Sequence, residues 1–342
     1  MKRYLSGVLA LIMLYSCQPA QKQEQKVKKP KLVVGIVIDQ LRHDYFERYA
    51  DNFGEDGFKG LISEGFYNHN THYNYIPTFT GPGHASVYTG TTPATHGIIA
   101  NNWYDKNIKT SVYCAEDTSV YTIGSTSEAG LMSPHRMLSS TITDELGLAT
   151  NFKSKVIGIS IKDRGSILPA GHKPTGSFWY DKSNGHFVSS SYYGNEELPS
   201  WLQEFNNRNL TDDYLNQTWE LSMPLEKYTQ STADDMPYEM TVRGKEKPVF
   251  PYDLKALRAE NGNFGLLPNT AFGNTILADL AIATMEGEEM GQDDITDFLA
   301  LSFSSTDYIG HGFGPRSVEV QDTYIKLDKE IGRLFKHLDE KV

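Results

Sequence analysis

Three short apolar runs rich in β-branched residues constrain the fold of this chain more than any other feature of its sequence. They span residues 31–39 (KLVVGIVID), 155–162 (KVIGISIK) and 298–304 (FLALSFS). Continuous apolarity over so few residues is typical of strands that are covered on both faces, as in a parallel sheet. Each run ends in polar residues. Because functional side chains collect at the carboxyl ends of parallel strands, we expect a site at that edge of the sheet.

Helical patterns lie between and after these runs. Ser133 and Pro134 predict a helix that continues to about residue 149, because proline is favoured at the first helical position. Residues 316–342 place apolar side chains such as Leu327, Ile331 and Leu334 on one helical face. Alternation of strands and helices predicts an α/β fold with a mostly parallel central sheet covered by helices.

Between residues 171 and 294 the pattern changes to loops and β-prone segments. Asn184 and Gly185 stand between aromatic and β-prone residues and predict a hairpin. Residues 191–274 are polar and rich in loop signals. We therefore expect a loop- and β-rich insertion at about 171–294 that covers the edge of the sheet, within a domain that spans residues 31–342.

The first 30 residues have the pattern of an export signal followed by a tether. Lys2 and Arg3 precede a short apolar stretch, and Leu14-Tyr15-Ser16-Cys17 resembles a bacterial lipobox. This resemblance implies a lipid on Cys17; a plain signal peptide with an incidental cysteine is the alternative. We expect an exported protein, either periplasmic or an outer-membrane lipoprotein, that contacts the membrane only through that lipid.

Charge and cysteine content exclude two classes of protein. The formal net charge is −11, which argues against nucleic acid as the main partner. Two cysteines cannot build a disulfide scaffold. If Cys17 carries a lipid, Cys114 is the remaining thiol, either buried and inert or a free thiol.

Thr80 stands just before a helix-compatible stretch, in a segment dense in Gly, Pro and His. A hydroxyl at a helix N-terminus meets the positive end of the helix dipole, which favours an alkoxide and an anionic substrate. A threonine alcohol still needs a metal or a base for activation. Taken alone, Thr80 is either a helix cap or a nucleophile.

Charged residues follow each of the three apolar runs. Asp307 and His311 are four residues apart, which places them on one helical face and offers oxygen and nitrogen donors suited to zinc. Asp39 is a third possible ligand or a turn carboxylate. Lys162 and Arg164 match phosphate oxygens, unless they form a solvated strand end.

Together, five segments resemble one family in content and order. They are VVGIVIDQLRHDY, PTFTGPGHASVYTG, HGIIANNWYD, IKDRGSILPAGH and SFSSTDYIGHGFG. They resemble the alkaline phosphatase superfamily, and within it the monoesterase-type alkaline phosphatases with a threonine nucleophile, which are related to nucleotide pyrophosphatase/phosphodiesterases. The resemblance implies an alkaline-phosphatase-like α/β sandwich over residues 31–342.

The resemblance also implies a site with two zinc ions. Asp39 and Thr80 would bind one ion, and Asp307 and His311 the other. The family has three further ligands, an adjacent Asp-His pair and a final His, which would come after the last predicted helix. We therefore expect the sequence to be a C-terminally truncated piece of a longer chain.

By the same resemblance, Thr80 would be the nucleophile and would form a phospho-threonine intermediate. Asn101 and Arg164 would bind the non-bridging phosphate oxygens, and Lys162 would stabilise charge in the transition state. The two cationic side chains, Lys162 and Arg164, favour monoesters, whose terminal oxygens carry more charge than those of diesters. The expected reaction is hydrolysis of small-molecule phosphate monoesters. The alternatives are a phosphodiesterase or nucleotide pyrophosphatase-type hydrolase, and a truncated inactive homologue that only binds phosphate.

Overall fold

A six-stranded sheet forms the centre of the computed structural model, which describes residues 29–342. Cys17 and the predicted export signal lie outside the described residues. The strands, numbered in chain order, are β1 (Leu32–Ile38), β2 (Asn102–Asp105), β3 (Thr110–Tyr113), β4 (Thr122–Ile123), β5 (Val156–Ser160), β6 (Gly176–Asp181), β7 (His186–Ser190), β8 (Thr218–Trp219), β9 (Tyr252–Asp253) and β10 (Asp297–Phe303).

The central part of this sheet is parallel, as the sequence predicts. Strands β1, β10, β5 and β6 pair in parallel in that order, and β7 and β4 continue the sheet with antiparallel pairings. The three predicted apolar strands are therefore immediate neighbours. Strands β2 and β3, and β8 and β9, form two small separate pairs.

Helices cover both faces of the sheet. Those of the described residues are α1 (Asp44–Arg48), α2 (Phe58–Glu64), α3 (Thr80–Thr89), α4 (Pro93–His96), α5 (Ile142–Ala149), α6 (Asp163–Ala170), α7 (Ser200–Asn207), α8 (Leu210–Leu215), α9 (Leu254–Leu257), α10 (Phe272–Gly287), α11 (Ser305–Phe313) and α12 (Val318–Lys341). Helices α10 and α12 pack over one face, and α3 and α6 over the other. Among the described helices, none combines the length and apolarity required for a membrane span.

Capping decides where two predicted helices begin. The C-terminal helix is confirmed, and the Ser317 hydroxyl caps it by accepting from the Val320 amide. The predicted start at Pro134 is wrong, because α5 begins at Ile142. Thr141 and Asp144 form a reciprocal capping box there, which satisfies amides at the helix N-terminus.

The hairpin predicted at Asn184-Gly185 is present, and its strands belong to the central sheet. Strands β6 and β7 pair in antiparallel register, and every residue of β6 is buried. Three of these buried residues, Phe178, Trp179 and Tyr180, have large aromatic side chains. Residues 171–294 thus contribute two strands and the long helix α10 to the central layers, in addition to loops.

A buried carboxyl group lies in the first turn of α12. Glu319 is completely inaccessible to solvent. Its Oε1 accepts a hydrogen bond of 2.7 Å from the Tyr252 hydroxyl, whereas Oε2 is buried without a partner in the described residues. Burial raises the pKa of Glu319 to about 8, and the nearby carboxylates Asp234 and Glu239 act in the same direction. The folded protein therefore holds this proton at neutral pH.

This group makes stability depend on pH. The ordinary pKa of a glutamic acid is 4.5, so the unfolded chain releases the proton at a lower pH than the folded protein. The contribution is fully present below the unfolded pKa and is lost as pH rises through the folded pKa. We expect Glu319→Gln to raise stability relative to wild type by roughly 3 kcal/mol more at pH 9 than at pH 5.

Thermal unfolding at pH 5, 7 and 9 measures this difference. Glu340→Gln, an exposed substitution on the same helix, is the matched control and should follow wild type at every pH. An identical pH dependence for wild type and Glu319→Gln would contradict the prediction.

Candidate active site

Polar side chains from three strands meet at the carboxyl edge of the sheet. Asp39 follows β1, Lys162 follows β5, and Asp307 follows β10. The Asp39 amide donates to the Phe303 carbonyl (2.9 Å), and the Thr306 hydroxyl donates to the Asp39 carbonyl (2.6 Å). These bonds fix the ends of β1 and β10 against each other and bring the predicted residues together.

The Lys162 ammonium lies between two carboxylates. Its Nζ donates to Asp39 Oδ2 at 2.6 Å and to Asp307 Oδ2, and lies 3.4 Å from Thr80 Oγ1. The lysine side chain is almost completely buried, and the two carboxylates are largely buried. Two carboxylates that are both largely removed from water need a cation between them. The space between Asp39 and Asp307 therefore favours a positively charged group.

The Asp39 carboxylate is held in its ionised form. Burial is the largest single effect and by itself would raise its pKa, but the Lys162 charge and the hydrogen bonds from Lys162 and Thr80 are among the effects that together outweigh it. The pKa of Asp39 is consequently below its ordinary value. The Thr80 hydroxyl donates to Asp39 Oδ2 at 3.0 Å, so an ionised acceptor stands beside the candidate nucleophile.

Thr80 is the first residue of helix α3, directly after the extended Phe79. Its hydroxyl thus lies at a helix N-terminus, as the sequence predicts, and the helix includes Thr80 itself rather than beginning after it. The Gly81 amide donates to Asn101 Oδ1 at 2.8 Å, which places Asn101 beside the same turn. A Cβ at Gly81 would lie 3.2 Å from both Asn101 Oδ1 and Cys114 Sγ, so glycine permits this close approach.

Arg164 lies in the first turn of α6, two residues after Lys162. Its Nη1 donates to the Tyr113 hydroxyl at 2.9 Å, and Tyr113 in turn donates to the Asp163 carboxylate. The Nε of Arg164 is buried and has no partner in the described residues. Because a buried donor without an acceptor is rare in folded proteins, this nitrogen marks a place for an acceptor such as a phosphate oxygen.

Asp307 and His311 share one face of α11, as their spacing predicts. His311 Nε2 lies 3.2 Å from Asp307 Oδ1, and the Gln40 amide nitrogen donates to the same oxygen at 3.0 Å. The His311 side chain is 75% exposed, so it remains accessible to a ligand.

The donor types suit zinc, but the described residues supply part of a coordination shell. Asp39 with Thr80, and Asp307 with His311, offer oxygen and nitrogen donors of the kind that zinc prefers. Between residues 29 and 342, no three His, Cys, Asp or Glu side chains are grouped so that they could hold a metal ion. Each pair therefore has donor types that suit a metal ion, and two donors are fewer than a zinc site requires.

Sequence reasoning did not identify three residues that support the site. His84 connects the Thr80 carbonyl (2.8 Å) to Ser302 Oγ (2.7 Å), and burial lowers its pKa, so the ring is neutral. Gln40 and Tyr113 orient Asp307 and Arg164. The four-residue spacing of Thr80 and His84 is the one local signal that points to such a contact.

Cys114 lies beneath this turn and is not a nucleophile. The thiol is fully buried, and burial raises its pKa to about 12. Because the thiolate is the reactive form of cysteine, this thiol is inert at neutral pH.

Comparisons with known proteins show which family and which proteins this chain resembles. The family described as type I phosphodiesterase / nucleotide pyrophosphatase matches residues 33–342. The chain is 46% identical over 342 residues to the alkaline phosphatase PafA of Elizabethkingia meningoseptica, covering 100% of this chain and 62% of that protein. It is 47% identical over 351 residues to the alkaline phosphatase PhoV of Synechococcus elongatus, covering 100% of this chain and 63% of that one. The chain thus spans about three-fifths of the length of these relatives.

A solved structure extends the similarity to the fold. A crystal structure of PafA substituted at a threonine, an asparagine, a lysine and an arginine matches with a TM-score of 0.90 and 47% identity. The match covers 92% of this chain and 61% of that one. The α/β sandwich is therefore an alkaline-phosphatase-like fold.

Removing the Lys162 charge should destabilise the protein. Lys162→Met leaves the Asp39 and Asp307 carboxylates close together and without their counter-ion, which we expect to lower the free energy of unfolding by about 3 kcal/mol. Urea denaturation with a chelator in the buffer measures this change. Adding Asp39→Asn to the Lys162→Met variant should restore part of the loss, because one carboxylate charge is then removed. Unchanged stability of Lys162→Met would contradict the counter-ion role.

Proposed function

The chain belongs to the type I phosphodiesterase / nucleotide pyrophosphatase family, and from this membership we propose that it serves in metal-dependent hydrolysis of phosphate monoesters. The observation that carries the proposal is the position of the Thr80 hydroxyl. It lies at a helix N-terminus, 3.0 Å from Asp39 Oδ2 and 3.4 Å from Lys162 Nζ. The names of the relatives PafA and PhoV, both alkaline phosphatases, support the proposal.

Thr80 acts as the nucleophile in this proposal. Its oxygen gives up its proton to water and attacks phosphorus, and the bond from phosphorus to the leaving oxygen breaks. That oxygen takes a proton from water and departs as the alcohol, which leaves a phospho-threonine. A water molecule then attacks the same phosphorus atom, the bond from phosphorus to Thr80 Oγ1 breaks, phosphate leaves, and the Thr80 oxygen takes up a proton from water. Asp39 accepts the hydrogen bond of the hydroxyl and orients it before attack. The dipole of α3 stabilises the negative charge that gathers at the helix N-terminus.

Asn101, Lys162 and Arg164 bind the phosphoryl oxygens. Asn101 is fixed by the Gly81 amide next to Thr80, and Arg164 has a buried Nε without a partner. Lys162 adds a point charge beside Thr80, where the transition state gains negative charge. These residues correspond in type to the asparagine, lysine and arginine substituted in the PafA variant, together with a threonine. The positive charges of Lys162 and Arg164 at the phosphoryl oxygens favour a monoester.

The proposed site takes two zinc ions. Asp39 and Thr80 would hold one ion, and Asp307 and His311 would hold the other. Bound zinc would lower the pKa of a hydroxyl group and stabilise negative charge in the transition state. The residues of this chain orient the nucleophile and bind the phosphoryl group.

We further propose that the protein is exported and anchored through a lipid on Cys17. The lipobox-like segment at Leu14–Cys17 and the polar residues that follow it support this placement. The partners are then small phosphate monoesters outside the cytoplasm, and the lipid is the contact with the membrane.

A phosphodiesterase is the second candidate, because the family description names that activity. A diester has one fewer charged oxygen on phosphorus than a monoester, so it gains less from cationic side chains. The two candidates therefore differ in how strongly they depend on Arg164.

Thr80→Ala should prevent formation of the phosphoenzyme, because the variant lacks the attacking oxygen. We expect turnover to fall by at least about 10³-fold. Incubation with a ³²P-labelled monoester at low pH, followed by intact-mass analysis, measures the covalent intermediate. Thr80→Ser, which keeps the hydroxyl, is the matched control and should still become labelled. A phosphorylated Thr80→Ala protein would overturn the assignment of the nucleophile.

Arg164→Ala should cost monoesters more than diesters. We expect kcat/KM for p-nitrophenyl phosphate to fall on the order of 100-fold, and for bis-p-nitrophenyl phosphate by much less. Arg243→Ala, an exposed arginine, is the control and should change neither value. Equal losses on both esters would remove the argument for monoester preference and favour the diesterase.

A further inference from the structure

A second lysine lies close to the candidate site and plays no part in the proposed reaction. Lys182 is the first residue after β6, and the carboxyl end of β6 is at the same sheet edge as Asp39 and Lys162. Its Nζ receives no carboxylate partner within residues 29–342, and its hydrogen bond of 3.1 Å goes to the Tyr308 hydroxyl. The side chain is exposed, so this charge faces solvent at the mouth of the site.

The base of the hairpin holds Lys182 in place. Asp181 is buried and accepts hydrogen bonds from the hydroxyls of Ser125 (2.8 Å) and Ser127 (2.6 Å) and from the Ser183 amide (2.8 Å). Gly185, with φ near 79°, closes the turn in the left-handed region. The backbone on both sides of Lys182 is therefore fixed, so a ligand that binds its side chain does not also have to order the backbone.

Tyr308 connects this lysine to the site. It follows Asp307 directly and is half-buried. Its ring centroid lies 4.6 Å from Lys182 Nζ and 5.0 Å from Lys162 Nζ. The two ammonium groups are consequently at most about 10 Å apart, close to the screening length of physiological salt, so one ligand can interact with both charges.

We propose that Lys182 is a specificity-determining residue that binds a second anionic group on the leaving-group side of the substrate. Thr80 Oγ1 lies beside Asp39 and Lys162. In the proposed in-line displacement the leaving group would depart opposite Thr80, which we place on the side of Asp307 and Tyr308. The favoured substrates are phosphate monoesters whose leaving alcohol carries a negative charge of its own. This inference rests on the proposed function, because it uses the phosphoryl site as its origin.

Two phosphonates that differ in one group provide the test. 3-Phosphonopropionate carries a carboxylate where propylphosphonate carries a methyl group, and neither contains a phosphate ester bond that the protein could hydrolyse. Calorimetric titration of the full chain measures their affinities. We expect wild type to bind 3-phosphonopropionate roughly twofold to fivefold more tightly than propylphosphonate, the range for an exposed ion pair.

Variants at the two ends of β6 separate a local effect from a general one. Lys182→Met should abolish the preference for the carboxylate and leave the affinity for propylphosphonate unchanged, and Lys182→Arg should keep the preference. Lys173 is also exposed and lies near an aromatic ring, with its Nζ 5.3 Å from the Phe152 centroid, but it precedes β6. Lys173→Met is therefore the matched control and should behave as wild type.

The outcomes distinguish this inference from the proposed function. Equal affinities of wild type for the two phosphonates, or a preference that survives Lys182→Met, would overturn the inference. If the inference fails in this way but Arg164→Ala still weakens phosphonate binding, the proposed function remains in place. If wild type binds neither phosphonate, the phosphoryl site is wrong and the inference falls with it.

Discussion

The ion pairs of Lys162 with Asp39 and Asp307 are the contact on which the site depends. They join the ends of three adjacent parallel strands, β1, β5 and β10, at one sheet edge. Without a cation, two largely buried carboxylates would repel each other across the space where a substrate must enter. The same contact places an ammonium beside Thr80, so the interaction that holds the strand ends together also positions positive charge for a phosphoryl group.

Close packing of α6 against the sheet makes this arrangement possible. The helix starts immediately after Lys162, and a Cβ at Gly165 would lie 2.7 Å from Ser160 Oγ. At Gly158 a Cβ would lie 2.4 Å from the Ser166 carbonyl oxygen. These two glycines let the helix lie directly on β5, which fixes the direction in which Arg164 leaves its first turn. The close packing of α6 on β5 therefore also determines where Lys162 and Arg164 are placed.

Sequence patterns predicted the parts of the fold that depend on local chemistry. Continuous apolar runs identified β1, β5 and β10, and the spacing of Asp307 and His311 identified their common helical face. The start of α5 was not predictable from Pro134, because the capping pair Thr141 and Asp144 determines it. His84 and Tyr113 were not identified because their roles come from hydrogen bonds to residues distant in the chain, Ser302 and Asp163. Such contacts leave no periodic signal in a single sequence.

The buried thiol of Cys114, next to Gly81, is a chemical probe of local motion at the site. Within residues 29–342, Cys114 is the cysteine, and its Sγ would lie 3.2 Å from a Cβ at Gly81. Because the thiol is fully buried, a thiol reagent reaches it only when the packing around it opens. The rate of Cys114 alkylation therefore reports on local opening. If that rate does not depend on reagent concentration, opening is the limiting step; if it rises with concentration, the reaction with the reagent is limiting. The turn that presents Thr80 thus carries its own reporter of rigidity.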